Sequence, residues 1–309
     1  VCLVTATENR LFLANTTFLS KISHSSHALT LTNIKGSFNG SDIMKEFDGT
    51  PNDAAHIEEL YALHAEMGFD ENLSRLVEAT NGIAPTGKRF VIDQNTASNV
   101  MASIARAIAF CNSTHYQALK ANLDARVARY RDGIAKAARI ANVNIRGRAI
   151  EYLISGEDDR LKAQIAAELT EDYDRLPEFK TENTLGDYAC TLGGWHIETD
   201  IKTKMEALNS APKGYNVDKF LEYHNRPDTV FLFYLVGVDA QGTVHTALVP
   251  VFQQALLRST KVQHHWAGRN SRGVTQLDGA VIQQLLANPD TTIDTATAQA
   301  FIQKMIAPQ

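Results

Sequence analysis

Between Trp195 and Lys202 the chain reads Trp-His-Ile-Glu-Thr-Asp-Ile-Lys. In an extended strand successive side chains point to opposite faces, so Trp195, Ile197, Thr199 and Ile201 share one face and His196, Glu198, Asp200 and Lys202 the other. Carboxylates and an ammonium aligned on one face are costly to withdraw from water unless something binds them, and a divalent cation is the simplest such partner. The arrangement suits metal-assisted hydrolysis of a phosphodiester.

That reaction needs a cation to polarise a phosphoryl oxygen and to lower the pKa of an attacking water, plus a group that orients the water or neutralises developing charge. Mg²⁺ takes oxygen ligands and retains several waters, so two or three carboxylates suffice. Asp187, Asp200 and Lys202 form the minimum set: the last two are separated by one residue and share a face, and Gly193-Gly194 supplies a turn that folds the Asp187 segment back beside them. Glu198 is a further candidate on the same face.

With these residues the chain resembles the PD-(D/E)xK nuclease superfamily and, within it, the type II restriction endonucleases. Asp187 matches the first acidic position, Asp200-Ile201-Lys202 the (D/E)xK element, and Glu151, on a preceding helix, an additional metal contact found in many relatives. Gly186 stands where the family often has Pro, which leaves Asp172 and Asp174 as other candidates for the first acid. The resemblance covers roughly residues 145 to 255. It implies a mixed sheet flanked by helices, Mg²⁺ bound by Asp187, Asp200 and Glu151, double-stranded DNA as substrate, and a homodimer whose two-fold axis matches a palindromic site.

A second segment has polar chemistry of a different kind. His264-His265-Trp266-Ala-Gly-Arg269-Asn270-Ser-Arg272-Gly273 carries glycines that permit close approach and side chains that grip phosphates and read base edges. Lys261, Arg269, Asn270, Arg272 and Gln276 are therefore candidate DNA contacts, with Lys204 as another; a turn held by its own polar side chains is the alternative. Adjacent His264 and His265 make a poor zinc site, because neighbours on a strand face opposite ways.

The elements that must position these groups follow from periodicity. Residues 1 to about 50 suggest one or two short strands at best, as in 28–34. Helical spacing begins at Asp53, a loop runs over 81–87, and a long helical region extends from about Thr96 to Asn142 with a break at Asn112-Ser113. A helix over Gly147–Ile154 is followed by another from Asp158 to about Leu169, closed by Pro177. The apolar runs Asp228–Val238 and Val244–Phe252, separated by a Gly242 turn, read as interior strands covered on both sides. Helices are expected again at Gly279–Leu286 and Thr295–Met305. The expected architecture is α/β (α+β): a helix-rich region over 1–140 for DNA contact or dimerisation, then a restriction-endonuclease-like core over 141–309.

Composition sets the outer limits. The chain has 309 residues, a net charge of −5 and 44% hydrophobic residues, values of a globular protein. It contains no apolar run of about eighteen residues and no basic-then-apolar start, so a cytoplasmic protein without membrane spans is expected. Cys2, Cys111 and Cys190 are too few and too scattered for a disulfide framework or zinc site. The modest net charge hides asymmetry: Lys120–Arg148 holds eight basic residues against two acids, and Glu157–Asp187 ten acids against four bases. The reading that unites these features is a Mg²⁺-dependent, sequence-specific DNA endonuclease. A repair or recombination nuclease with structural specificity is the alternative within the same chemistry, and a non-catalytic DNA-binding protein the alternative outside it.

Overall fold

A computed structural model of the chain describes residues 2–4, 9–11, 89–167, 185–208, 210–264 and 271–306. The helical spacing from Asp53, the 28–34 strand, the 81–87 loop, Pro177 and the alternative acids Asp172 and Asp174 lie outside the described residues. Chain contacts divide the protein into two compact units, 1–86 with 267–269, and 87–266 with 270–309. In the first, β1 (Cys2–Val4) and β2 (Asn9–Leu11) pair antiparallel.

The second unit is a mixed α/β fold. It opens with α1 (Gln94–Cys111), capped by Asp93, whose carboxylate accepts from Thr96 N at 2.7 Å. The break expected at Asn112-Ser113 is there: Asn112 ends α1, and Ser113 caps α2 (Thr114–Arg129). The helical region breaks once more at Tyr130, before α3 (Arg131–Ala137). Asn142 then caps α4 (Val143–Ser155), the helix of Glu151, by accepting from the amides of Asn144 and Ile145. Next comes α5 (Asp159–Ala167).

β3 (Tyr188–Leu192) and β4 (Trp195–Met205) form a hairpin closed by Gly193 and Gly194, both at positive φ, 56° and 87°. Two consecutive left-handed residues match the right-handed twist of the strands, and glycine adopts them without a Cβ clash. β4 runs parallel to β6 (Thr229–Val238), and β6 antiparallel to β7 (Val244–Pro250), which gives the order β3-β4-β6-β7. All ten residues of β6 are buried, as its unbroken apolar run predicts. Alternation sends Val230, Leu232, Tyr234, Val236 and Val238 into one cluster with α2, α3 and α4, and Phe231, Phe233 and Leu235 into the opposite cluster with α1. Full burial of each such side chain is worth about 1.5–3 kcal/mol, so the sheet is held from both sides. Helices expected to belong to a separate region up to residue 140 are thus part of the packing of the sheet itself.

A second sheet has no counterpart in the periodicity reading. β5 (Lys213–Asn216), β8 (Lys261–His264) and β9 (Gly273–Gln276) pair in the order β5-β9-β8. Each is only four residues long, too short for alternation to register. The short helices α6 (Val217–His224) and α7 (Gln254–Ser259) complete the connections, and α8 (Gly279–Ala287) and α9 (Thr295–Ile306) fall where the late apolar spacing places them. Among the described residues no helix is long and apolar enough to cross a membrane.

Candidate active site

The β3–β4 ladder ends at the pair Tyr188–Thr199, and beyond it that edge of β4 has no strand partner among the described residues. The three residues before β3 take over. Asp187 N donates to Thr199 O at 3.0 Å, and the Asp187 carboxylate accepts from Ile201 N at 2.8 Å. One turn of chain earlier, Glu198 reaches back and one of its oxygens accepts from the amides of Leu185 and Gly186, the latter at 2.9 Å. At Gly186 an added Cβ would come within 2.8 Å of the Thr199 carbonyl, so the two backbones lie in direct contact. Glycine is the residue this close approach requires.

This stitching holds Asp187 beside Asp200 and Lys202. The Lys202 ammonium pairs with Asp200 at 2.8 Å, and Asp200 is only 4% exposed. Glu151, on α4, lines the same cleft as Lys202. Asp200 and Lys202 thus form a largely buried pair, with the half-buried Asp187 and Glu151 acting on its charges. Burial, opposed by Lys202 and reinforced by Asp187, pushes the Asp200 carboxyl well above the ordinary range. Burial and the Asp187 charge push Glu151 up to about 7. For Lys202 burial favours loss of the proton, but the charges of Asp200, Asp187 and Glu151 outweigh it and hold the ammonium more firmly than usual. With the carboxyls ionised the surplus is negative, and a divalent cation would relieve it.

The donor set fits a hard cation: all the candidate ligands are carboxylate oxygens, and Mg²⁺ characteristically takes one or two of these and completes its shell with water and substrate phosphate. Among the described residues no three acidic, imidazole or thiol groups already converge as a ready-made cage.

A cleft of about 550 Å³ opens against the cluster. Its walls are the first turns of α4, the end of β4 and the entry to β5, and Glu151 and Lys202 lie in its lining with Arg146, Arg148, Lys204 and Lys213. Arg146 and Lys213 were invisible as site residues in the sequence, because nothing local ties position 213 to position 146.

Several expected site residues do other work. Glu198 is a positioning residue for the Asp187 segment, its carboxylate spent on two backbone amides. Lys204 is buried and donates to the carbonyl oxygens of Leu208 and Ser210, which corrects its expected DNA contact to the closing of a turn. Arg272 is likewise corrected: it is 5% exposed, and its guanidinium is paired with Asp218 and bonded to Phe90 O at 2.8 Å. Gln276 lies in β9 and bonds to Ala211 O and Gln263, and Lys261 is exposed on β8. Arg269 and Asn270 lie outside the described residues. Much of the basic block Lys120–Arg148 is also structural. Arg126 binds Ile154 O and stacks on Tyr188, Arg129 pairs with Asp159, and Lys136 binds Ala166 O.

Neither protein-family models, nor curated proteins, nor solved structures yield a match to this chain.

Proposed function

We propose that the protein is a Mg²⁺-dependent endonuclease that hydrolyses phosphodiester bonds of double-stranded DNA, of the type II restriction kind and acting as a homodimer in the cytoplasm. The observation that carries the reading is the Asp200–Lys202 pair, withdrawn from solvent, with Asp187 tied to the same strand through the Ile201 amide and Glu151 lining the cleft that reaches Lys202. Such an excess of buried carboxylates is a standing electrostatic cost to a protein that binds nothing there.

In this reading Asp187 and Asp200, assisted by Glu151, would hold the cation, which when bound polarises the phosphoryl oxygen and acidifies the attacking water. The chain supplies the rest. Lys202, kept protonated by the surrounding carboxylates, places a fixed positive charge beside the phosphate that becomes more negative as the reaction proceeds. Glu198 and Gly186 hold the Asp187 segment against β4, which fixes where that carboxylate stands. The two-fold dimer is the simplest way to cut both strands of a palindrome.

The direct test is incubation with a fully sequenced, unmethylated phage DNA in Mg²⁺ and in chelator, beside Asp200→Ala. Discrete fragments from the wild type in Mg²⁺ alone support the proposal. A smear moves the reading to a nuclease without sequence specificity, and cutting by Asp200→Ala defeats the site assignment. Uncut DNA in every lane, on substrates covering all short palindromes, leaves a DNA-binding protein.

A further inference from the structure

The cleft beside the carboxylates has its own chemistry. Among the described residues five basic side chains line it, Arg146, Arg148, Lys202, Lys204 and Lys213, against one acidic, Glu151. Lys202 is committed to Asp200 and Lys204 to the turn carbonyls, while one Arg146 nitrogen reaches Ile140 O. Lys213 differs: it is exposed at the start of β5, and among the described residues no carboxylate stands within ion-pair distance of it. Arg148 stands on the Glu151 side, where its charge acts on that carboxyl. The opening turns of α4 form one wall, so the positive end of the helix dipole adds to the same field. At Gly147 an added Cβ would sit 3.7 Å from Thr203 Oγ1 and 3.8 Å from Glu151 Oε1. Gly147 thus lies against both Thr203 and Glu151 at ordinary contact distance.

We infer that this cleft seats the sugar-phosphate backbone of the strand being cut, on one side of the scissile bond, with Arg148 and Lys213 as its phosphate contacts. The inference rests on the nuclease reading and adds to it the direction in which the substrate leaves the site. An anionic polymer explains the cleft better than an isolated anion does, because the basic groups line an open trough of a volume typical of ligand sites and continue away from the reacting centre.

Kd for a fluorescent DNA duplex, measured with the full chain in Ca²⁺ over a range of salt, tests this. Each phosphate contact contributes about 0.9 to the slope of log affinity against log salt. Lys213→Ala should lower that slope by about 1 and Arg148→Ala/Lys213→Ala by about 2, while the rise in melting temperature with Ca²⁺ stays as in the wild type. The exposed Lys304→Ala on α9 should keep the wild-type slope. Unchanged slopes in Lys213→Ala and the double variant, with a wild type that binds and cuts, overturn the cleft and leave the nuclease standing. An equal loss in Lys304→Ala also overturns it. A wild type that neither binds nor cuts DNA overturns both.

Discussion

Asp187 completes the edge of β4 through Ile201: its carboxylate accepts the Ile201 amide at 2.8 Å, where the β3 ladder has already ended. A side chain stands in for a backbone carbonyl, and the consequence is positional. The carboxylate is carried to the Asp200–Lys202 pair by the strand's own hydrogen bonding. Asp187→Ala should therefore leave a buried amide without an acceptor, whereas Asp187→Asn can still offer an oxygen to Ile201. Both should lose Mg²⁺-dependent cleavage, but only the alanine variant should also lose stability, by about 1–3 kcal/mol in chemical denaturation. Equal stability of the two would show that the Asp187–Ile201 bond is not made in solution.

Removal of Asp200 or Lys202 bears on the chemistry itself. Asp200→Asn and Lys202→Met should each reduce the cleavage rate by roughly 10²–10³-fold, the scale of removing one group that stabilises developing charge. DNA affinity in Ca²⁺ should change far less. Gel-based cleavage under single-turnover conditions, beside a binding measurement, separates the two. A variant that cuts at the wild-type rate removes that residue from the mechanism.

The pH dependence has a definite sign. Burial and the neighbouring Asp187 raise Glu151 to about 7, so between the ordinary glutamate range and that value the folded chain binds a proton that the unfolded chain has released. The stability Glu151 contributes as a neutral group is present at low pH and lost as pH rises through about 7. Asp200, raised by burial, acts in the same direction. The melting temperature of the cation-free protein should fall from pH 5 to 8, Glu151→Gln should flatten that fall, and Mg²⁺ should raise the melting temperature more at pH 8 than at pH 5. A stabilisation by Mg²⁺ that is equal at both values would disconnect the cation from these carboxyls.

Glu198 should behave as a support. Glu198→Ala leaves the Leu185 and Gly186 amides without an acceptor, and the expected loss is about 10–100-fold in activity, the range for groups that orient metal ligands. Glu198→Gln retains an acceptor oxygen and should recover most of it. The cation concentration for half-maximal activity should rise in the alanine variant and return in the glutamine one. Gly186→Ala should resemble Glu198→Ala, because its Cβ would push the same segment off Thr199.

Arg272, the residue before β9, and Asp218 on α6 form a buried ion pair, each side chain 6% exposed. Arg272→Ala or Asp218→Ala alone should cost about 3–5 kcal/mol by leaving one charge buried without its partner, and the double variant should cost less than the sum. Thermal unfolding of the three variants checks this. A stable Arg272→Ala protein with altered DNA affinity would return Arg272 to the DNA interface.

The sequence by itself determined the sheet and the acidic-lysine strand. An unbroken apolar run such as 229–238 is stable only with both faces covered, and the period-two pattern of Trp195–Lys202 admits only one sorting of faces. The Gly193-Gly194 turn and the Asn112-Ser113 break are local, governed by backbone sterics and by the nearest donors, and were legible for the same reason. Tertiary structure decided everything that depends on which distant groups meet. Glu198 and Asp200 share a face of one strand, yet Glu198 meets two amides thirteen and twelve residues back while Asp200 meets Lys202. Arg272 sits in a segment composed like a phosphate-gripping loop, but burial makes its charge far too costly without Asp218, fifty-four residues away. The basic cleft joins positions 146–148 to 213 across the end of β4. Charge acts through space and is set by burial, neither of which is encoded in spacing along the chain.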